Sequence, residues 1–194
     1  MDTAEMNDEL IKEAMVYVEE LFRNNSDGHD VDHTFRVYRN AMRIADKDEC
    51  DKQIVALAAL LHDADDHKLF QTENNYNARS FMESHNVNVE KIEAVCNIIN
   101  SVSFSKNRGK RPETIEGMIV QDADRLDAIG AIGIARCFAF GGSHGRDLDS
   151  SIAHFHEKLL LLKDEMNTTC AKQIAEERHQ FMEKFLEQYK KETE

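Results

Sequence analysis

The stretch DKQIVALAALLHD, residues 51–63, decides the reading of the fold. From Ile54 to Leu61 it is apolar on nearly every side of a helix, and such a helix belongs inside a bundle. The run is too short to span a bilayer. At its end it delivers a histidine and an aspartate, His62 and Asp63, straight out of a core. Burying an ionised carboxylate without a partner is very costly, and a nearby cation removes that cost.

Outward from this helix, apolar residues recur at helical spacing almost throughout. A first helix is expected over residues 4–23, with Leu10, Ala14, Val18 and Leu21 on one face. A turn follows at 24–28, and Asp30 suits the N-cap of a second helix reaching residue 46, so that His33 lies in its first turn. Further helices are expected at 73–84 and 89–101. The loop 103–111 carries four cations within six residues, Lys106, Arg108, Lys110 and Arg111. Pro112 fits the first turn of the next helix, which holds Asp122, Asp124 and Asp127. Helix continues over 128–140 after a break near Gly130 and Gly133, and 141–146 reads as a flexible Gly-rich loop. Ile152, Phe155, Leu159, Leu162 and Met166 then mark one helix, on which His154 and Lys158 share a face. A last helix at 169–190 is expected to bury Ile174, Phe181, Phe185 and Tyr189. No segment has the alternating pattern of a strand. The expectation is an all-α fold: one helical bundle of about eight or nine helices spanning 1–194, with the C-terminal helices, about 150–190, packed on the core.

Composition agrees with one helical domain. The 194 residues suffice for a single real core. Pro occurs once, Gly eight times and Trp never, so helix breakers are scarce. A net charge of −13 argues against a nucleic-acid binder, which needs a basic face, and against an anionic membrane surface. It leaves room for a small anionic substrate held by a metal and a few local cations. Cys50, Cys96, Cys137 and Cys170 lie far apart without a C-x-x-C pair, so free thiols are expected rather than a disulfide framework. The acidic N-terminal residues 1–9 lack the basic and apolar regions of a signal peptide. The expected location is cytoplasmic.

Three separated segments carry a further pattern. His33 stands in DVDHTFRV, the His62-Asp63 doublet in LAALLHDADDHK, and Asp124 in VQDADRLDAIGAIG. An isolated His, a His-Asp doublet and a distal Asp resemble the HD superfamily of metal-dependent phosphohydrolases. The last string, with VSFSKNRGK and HFHEKLLLLKDEMNT, resembles the small bacterial subfamily related to nucleotide pyrophosphohydrolases. The likeness spans about residues 10–190.

The resemblance implies metal ligands at His33, His62, Asp63 and Asp124. Asp124 matches the family's distal ligand. Asp127, three residues on, shares its helix face and would orient a ligand or a water. Asp122 is rotated by about 200°. Two imidazoles and two carboxylates suit one divalent ion with open water positions, Mn²⁺ or Mg²⁺ ahead of Fe²⁺. A binuclear centre needs more His ligands between doublet and distal Asp, and only His67 and His85 lie there. Asp66 is the candidate proton acceptor over Asp65, since it resembles the subfamily's DDHK pattern, with Asp127 as the alternative. Lys106, His67, Arg146, His154 and Lys158 are candidate contacts for substrate phosphates.

The implied function is metal-dependent hydrolysis of a phosphate ester or anhydride in a small molecule. A (deoxy)nucleoside triphosphate cleaved to monophosphate and pyrophosphate is favoured. A 5′-nucleotidase acting on monophosphates is the runner-up. A metal-binding signalling module with little turnover is the reading from another class, and an oxygenase like the fold's binuclear-iron relatives is disfavoured by the shortage of His. The long final helix can pack on its own bundle or on a second subunit, so a homodimer stays open.

Overall fold

The computed structural model describes residues 3–23, 31–67, 69–102, 107 and 109–193, with side chains from residue 8 onward. Among these residues the chain forms nine α-helices, one 3₁₀ segment and no strand. The helices are α1 (Thr3–Leu21), α2 (Val31–Ala45), α3 (Lys52–Leu61), α4 (Tyr76–Ser84), α5 (Val89–Val102), α6 (Ile115–Asp127), α7 (Gly130–Ser143), α8 (Leu148–Glu157) and α9 (Thr169–Thr193). The 3₁₀ segment, Leu159–Glu165, joins α8 to the approach of α9. No single helix among the described residues is long and apolar enough to cross a membrane.

The apolar run at 54–61 becomes the axis of the bundle. Every residue of α3 from Val55 to Leu61 is buried, because α1, α2, α5 and α6 surround it. Asp51 starts α3 as its N-cap, accepting from the backbone N–H of Gln53 at 3.0 Å and of Ile54 at 3.2 Å. The α2 helix lies along both α3 and α6, so the ends of three helices meet. One continuous cluster of buried apolar side chains runs from Ala14 to Met182. Phe155 joins the C-terminal helices to it, with ring centroids 6.0 Å from Phe138 and 5.9 Å from Phe185.

Four details differ from the pattern reading. The helix after the basic loop starts at Ile115, because Thr114 takes an extended backbone and caps it by accepting from Gly117 N–H; Pro112 lies before the cap. The segment 141–143 belongs to α7 rather than to a loop. Gly141 serves close packing there: a Cβ would fall 2.5 Å from the Ser151 hydroxyl of α8. The expected helix through Ile152 and Met166 breaks at Lys158, whose backbone leaves the helical region, and continues as 3₁₀. With three residues per turn, Leu159 and Leu162 stack on one side, and both are buried. On α9 the buried seam is Ala171, Ile174, Ala175 and Met182, so Phe181 is turned outward and is 52% exposed. The proposed N-cap Asp30 lies outside the described residues.

Asp122 joins α6 to α9. It is fully buried, and its oxygens accept from the backbone and side chain of Asn167 and of Thr168 at 2.8–2.9 Å. Thr168 in turn caps α9 through Ala171 N–H. Burial pushes the Asp122 carboxyl up, against the pull of its four donors. Replacing Asp122 by Ala leaves those donors without a buried acceptor. The expected loss is about 3 kcal/mol of unfolding free energy, read as a lower urea midpoint; an unchanged midpoint would show that the tie contributes nothing.

Candidate metal centre

Three helices bring four side chains to one point. His33 comes from the first turn of α2, His62 and Asp63 from just past the end of α3, and Asp124 from the last turn of α6. The Nε2 atoms of His33 and His62 lie 3.3 Å apart. His33 Nε2 is 3.6 Å from Asp63 Oδ2 and 3.5 Å from Asp124 Oδ1, and His62 Nε2 is 3.3 Å from Asp63 Oδ2. One ligand atom each from His33, His62 and Asp124 fall within 4.8 Å of one another. The imidazoles are nearly closed off from solvent, whereas Asp63 and Asp124 keep 14% and 25% of their side chains exposed. The cluster is therefore open on its carboxylate side.

The other ring nitrogens are committed. His62 Nδ1 is 2.9 Å from the Ala59 carbonyl, which can only accept. His33 Nδ1 is 2.8 Å from Asp127 Oδ2, a carboxylate that likewise only accepts, and 3.0 Å from the Arg136 Nη1, which makes its own shorter bond of 2.6 Å to the same oxygen. An accepting oxygen at each Nδ1 favours hydrogen there, which leaves Nε2 of both rings facing each other and two carboxylates. Two lone pairs and two negative charges in so small a volume repel, and a divalent cation reconciles them. This donor set fits a mixed N/O ion site.

In the metal-free protein a proton serves that purpose. Burial lowers the basicity of His62, but the neighbouring Asp63 and Asp124 carboxylates and the Ala59 bond outweigh it and hold the imidazole at about 9. Below that pH His62 is protonated and must lose the proton to become a ligand.

Asp127 sits behind His33 and is 2% exposed. Arg36 grips it with two nitrogens, Nε to Oδ1 at 2.7 Å and an Nη to Oδ2 at 3.1 Å. Arg136 of α7 donates to Oδ2 at 2.6 Å. Burial would raise this carboxyl, but His33 and the two guanidiniums hold it well below the usual carboxylate range. Its oxygens face these donors, which suits orienting a ligand better than accepting a proton from water. Pattern reading missed Arg36 and Arg136. Arg36 was findable, three residues after His33 on one helix face. Arg136 was not, because it reaches Asp127 across the break between α6 and α7.

The remaining candidates are spread out. Asp65 accepts from the N–H groups of Asn77 and Ala78 at 2.9 and 3.1 Å, at the start of α4, so its carboxylate is structural. Asp66 is half-buried beside the cluster, and its N–H bonds to the Asp63 carbonyl at 3.0 Å. His67 is exposed, 3.7 Å from Asp66 Oδ1. Arg146, His154 and Lys158 form a second group where α7 meets α8: burial, then the Lys158 and Arg146 charges, push the His154 imidazole down. The Arg146 guanidinium stands 5.3 Å over the Phe140 ring. Lys106 lies outside the described residues.

This geometry sits within a known class. A model of the HD domain matches residues 30–129, from just before His33 to just past Asp127. The chain belongs to the HD family. The uncharacterized protein YpgQ of Bacillus subtilis is 45% identical over 187 residues, covering 90% of this chain and 89% of that one. The crystal structure of YpgQ in complex with ADP superposes with a TM-score of 0.82 at 39% identity, covering 94% and 97% of the two chains. An HD-superfamily hydrolase from Bacillus thuringiensis superposes with a TM-score of 0.81 at 41% identity, covering 96% and 97%. The protein is thus an HD-superfamily hydrolase, a class in which metal dependence is general.

Because His62 holds a proton below about pH 9, metal binding at pH 7.5 should release close to one proton. Apparent affinity should rise about tenfold per pH unit through neutrality and level off above pH 9. Calorimetry in buffers of different ionisation enthalpy checks this, and binding without proton release would contradict it.

Proposed function

We propose that this protein hydrolyses a phosphoanhydride bond of a nucleoside triphosphate, with a deoxynucleotide favoured, to a monophosphate and pyrophosphate. The convergence of His33, His62, Asp63 and Asp124 with their ligand atoms turned inward carries this reading. The ADP bound by YpgQ supports a nucleotide as the substrate class.

His33, His62, Asp63 and Asp124 would hold one divalent ion, Mn²⁺ or Mg²⁺ by donor type. When bound, that ion makes a coordinated water more acidic and offsets charge developing on phosphoryl oxygens. The two Nδ1 bonds, to Ala59 and Asp127, hold both imidazoles in one tautomer throughout. Asp66, three residues past Asp63 and at the cluster's edge, accepts the proton of the attacking water; Asp65 is occupied at α4. Asp127 acts through His33. Arg146, His154 and Lys158, with Lys106 and His67, neutralise the polyphosphate, which one metal cannot do alone. These cations also reconcile an acidic protein with an anionic substrate.

Purified protein supplied with Mn²⁺ or Mg²⁺ should release pyrophosphate from deoxynucleoside triphosphates. Orthophosphate from monophosphates would instead indicate a nucleotidase, and no turnover of any phosphorylated compound by the metal-loaded protein would sink the enzyme reading. Asp63→Ala should lose metal and activity together. Asp66→Asn should keep its metal and lose about 10²–10⁴-fold in kcat.

A further inference from the structure

His33 and His62 obtain the same tautomer by different means. His62 follows α3 and has the carbonyl of Ala59, three residues back in that helix, within reach of Nδ1. His33 is the third residue of α2. Its Nδ1 is served by a carboxylate from another helix, Asp127. A backbone carbonyl is fixed by its helix, but an Asp carboxylate rotates in a broad torsional well. Something must hold it.

We propose that Arg36 and Arg136 are positioning residues of the metal centre, clamping Asp127 from two helices so that His33 keeps Nδ1 protonated and Nε2 aimed at the ion. This rests on the metal-centre reading above. Arg36 contributes two nitrogens and fixes the plane of the carboxylate. It extends from α2, the helix that carries His33, so ring and clamp move together. Arg136 closes the other side from α7: its Nη1 contacts Asp127 Oδ2 and the Asp127 carbonyl, and also lies 3.0 Å from His33 Nδ1 itself. Two guanidiniums also remove the cost of burying this carboxylate. The two clamps differ in kind: Arg36 needs its planar fork, whereas Arg136 delivers one nitrogen.

The test is Mn²⁺ binding by calorimetry on the full-length, chelator-treated protein without substrate. A wrong substrate assignment therefore leaves it intact, and failure of the wild type to bind Mn²⁺ counts against the metal reading itself. Asp127→Asn should weaken Mn²⁺ binding about 10- to 100-fold, and Arg36→Met and Arg136→Met about 10-fold each. Arg136→Lys should recover binding to within about threefold, while Arg36→Lys should not, because lysine cannot reproduce a bidentate grip. In an Asp127→Asn background the Arg136→Met change should shrink to about twofold or less. In the metal-free protein, ¹⁵N NMR should show His33 with hydrogen on Nδ1, mixed with the Nε2–H form in the Met variants.

If the arginines acted by charge alone, removing one beside a dication would tighten binding, and both lysines would substitute equally. Unchanged or tighter Mn²⁺ binding in the Met variants overturns the proposal. Equal rescue by both lysines, or a full Arg136→Met effect surviving without Asp127, does so too. Should a Met variant fail to fold, the two lysine variants and Asp127→Asn decide it.

Discussion

Four groups that repel one another are forced together at the ends of three helices, and the rest of the structure follows from tolerating that. Two imidazole lone pairs and two carboxylates converge within a few ångströms. The three helices that carry them, α2, α3 and α6, are packed along one another. A cation offsets the repulsion, whether a proton on His62 or a divalent ion of the kind that HD-domain proteins bind. The buried α3 helix makes the convergence rigid, and that rigidity is the precondition for any ion-assisted chemistry here.

The helix pattern carried much of this arrangement. Eight consecutive apolar residues can only be an interior helix in a chain this polar, so the exit of His62-Asp63 from the core was legible. The spacing of Asp122, Asp124 and Asp127 was legible too, because helical rotation separates the first from the other two. In the structure Asp122 contacts the residues leading into α9, and Asp127 contacts His33. Contacts that local periodicity does not encode were illegible. The outward turn of Phe181, the backbone change at Lys158 and the service of Gly141 to a helix crossing depend on what lies across the bundle. Arg136 belongs with these, nine residues beyond Asp127 and past a break.

Arg146, His154 and Lys158 gather where α7 meets α8. Burial, then the Lys158 and Arg146 charges, lower the basicity of His154, against a smaller opposing pull from Glu157. An incoming polyphosphate is the kind of ligand that such a group of cations would attract.

One property of α6 bears on how such a chain can vary. Its carboxylates at 122, 124 and 127 serve three separate neighbours: the start of α9, the ligand cluster and the ring behind it. A residue inserted after 122 would rotate everything beyond it by about 100°, and either the anchor or the ligand would be lost. Length is therefore as restricted as identity in this segment, and insertions or deletions that distinguish related chains should collect in the connections between helices and spare α6.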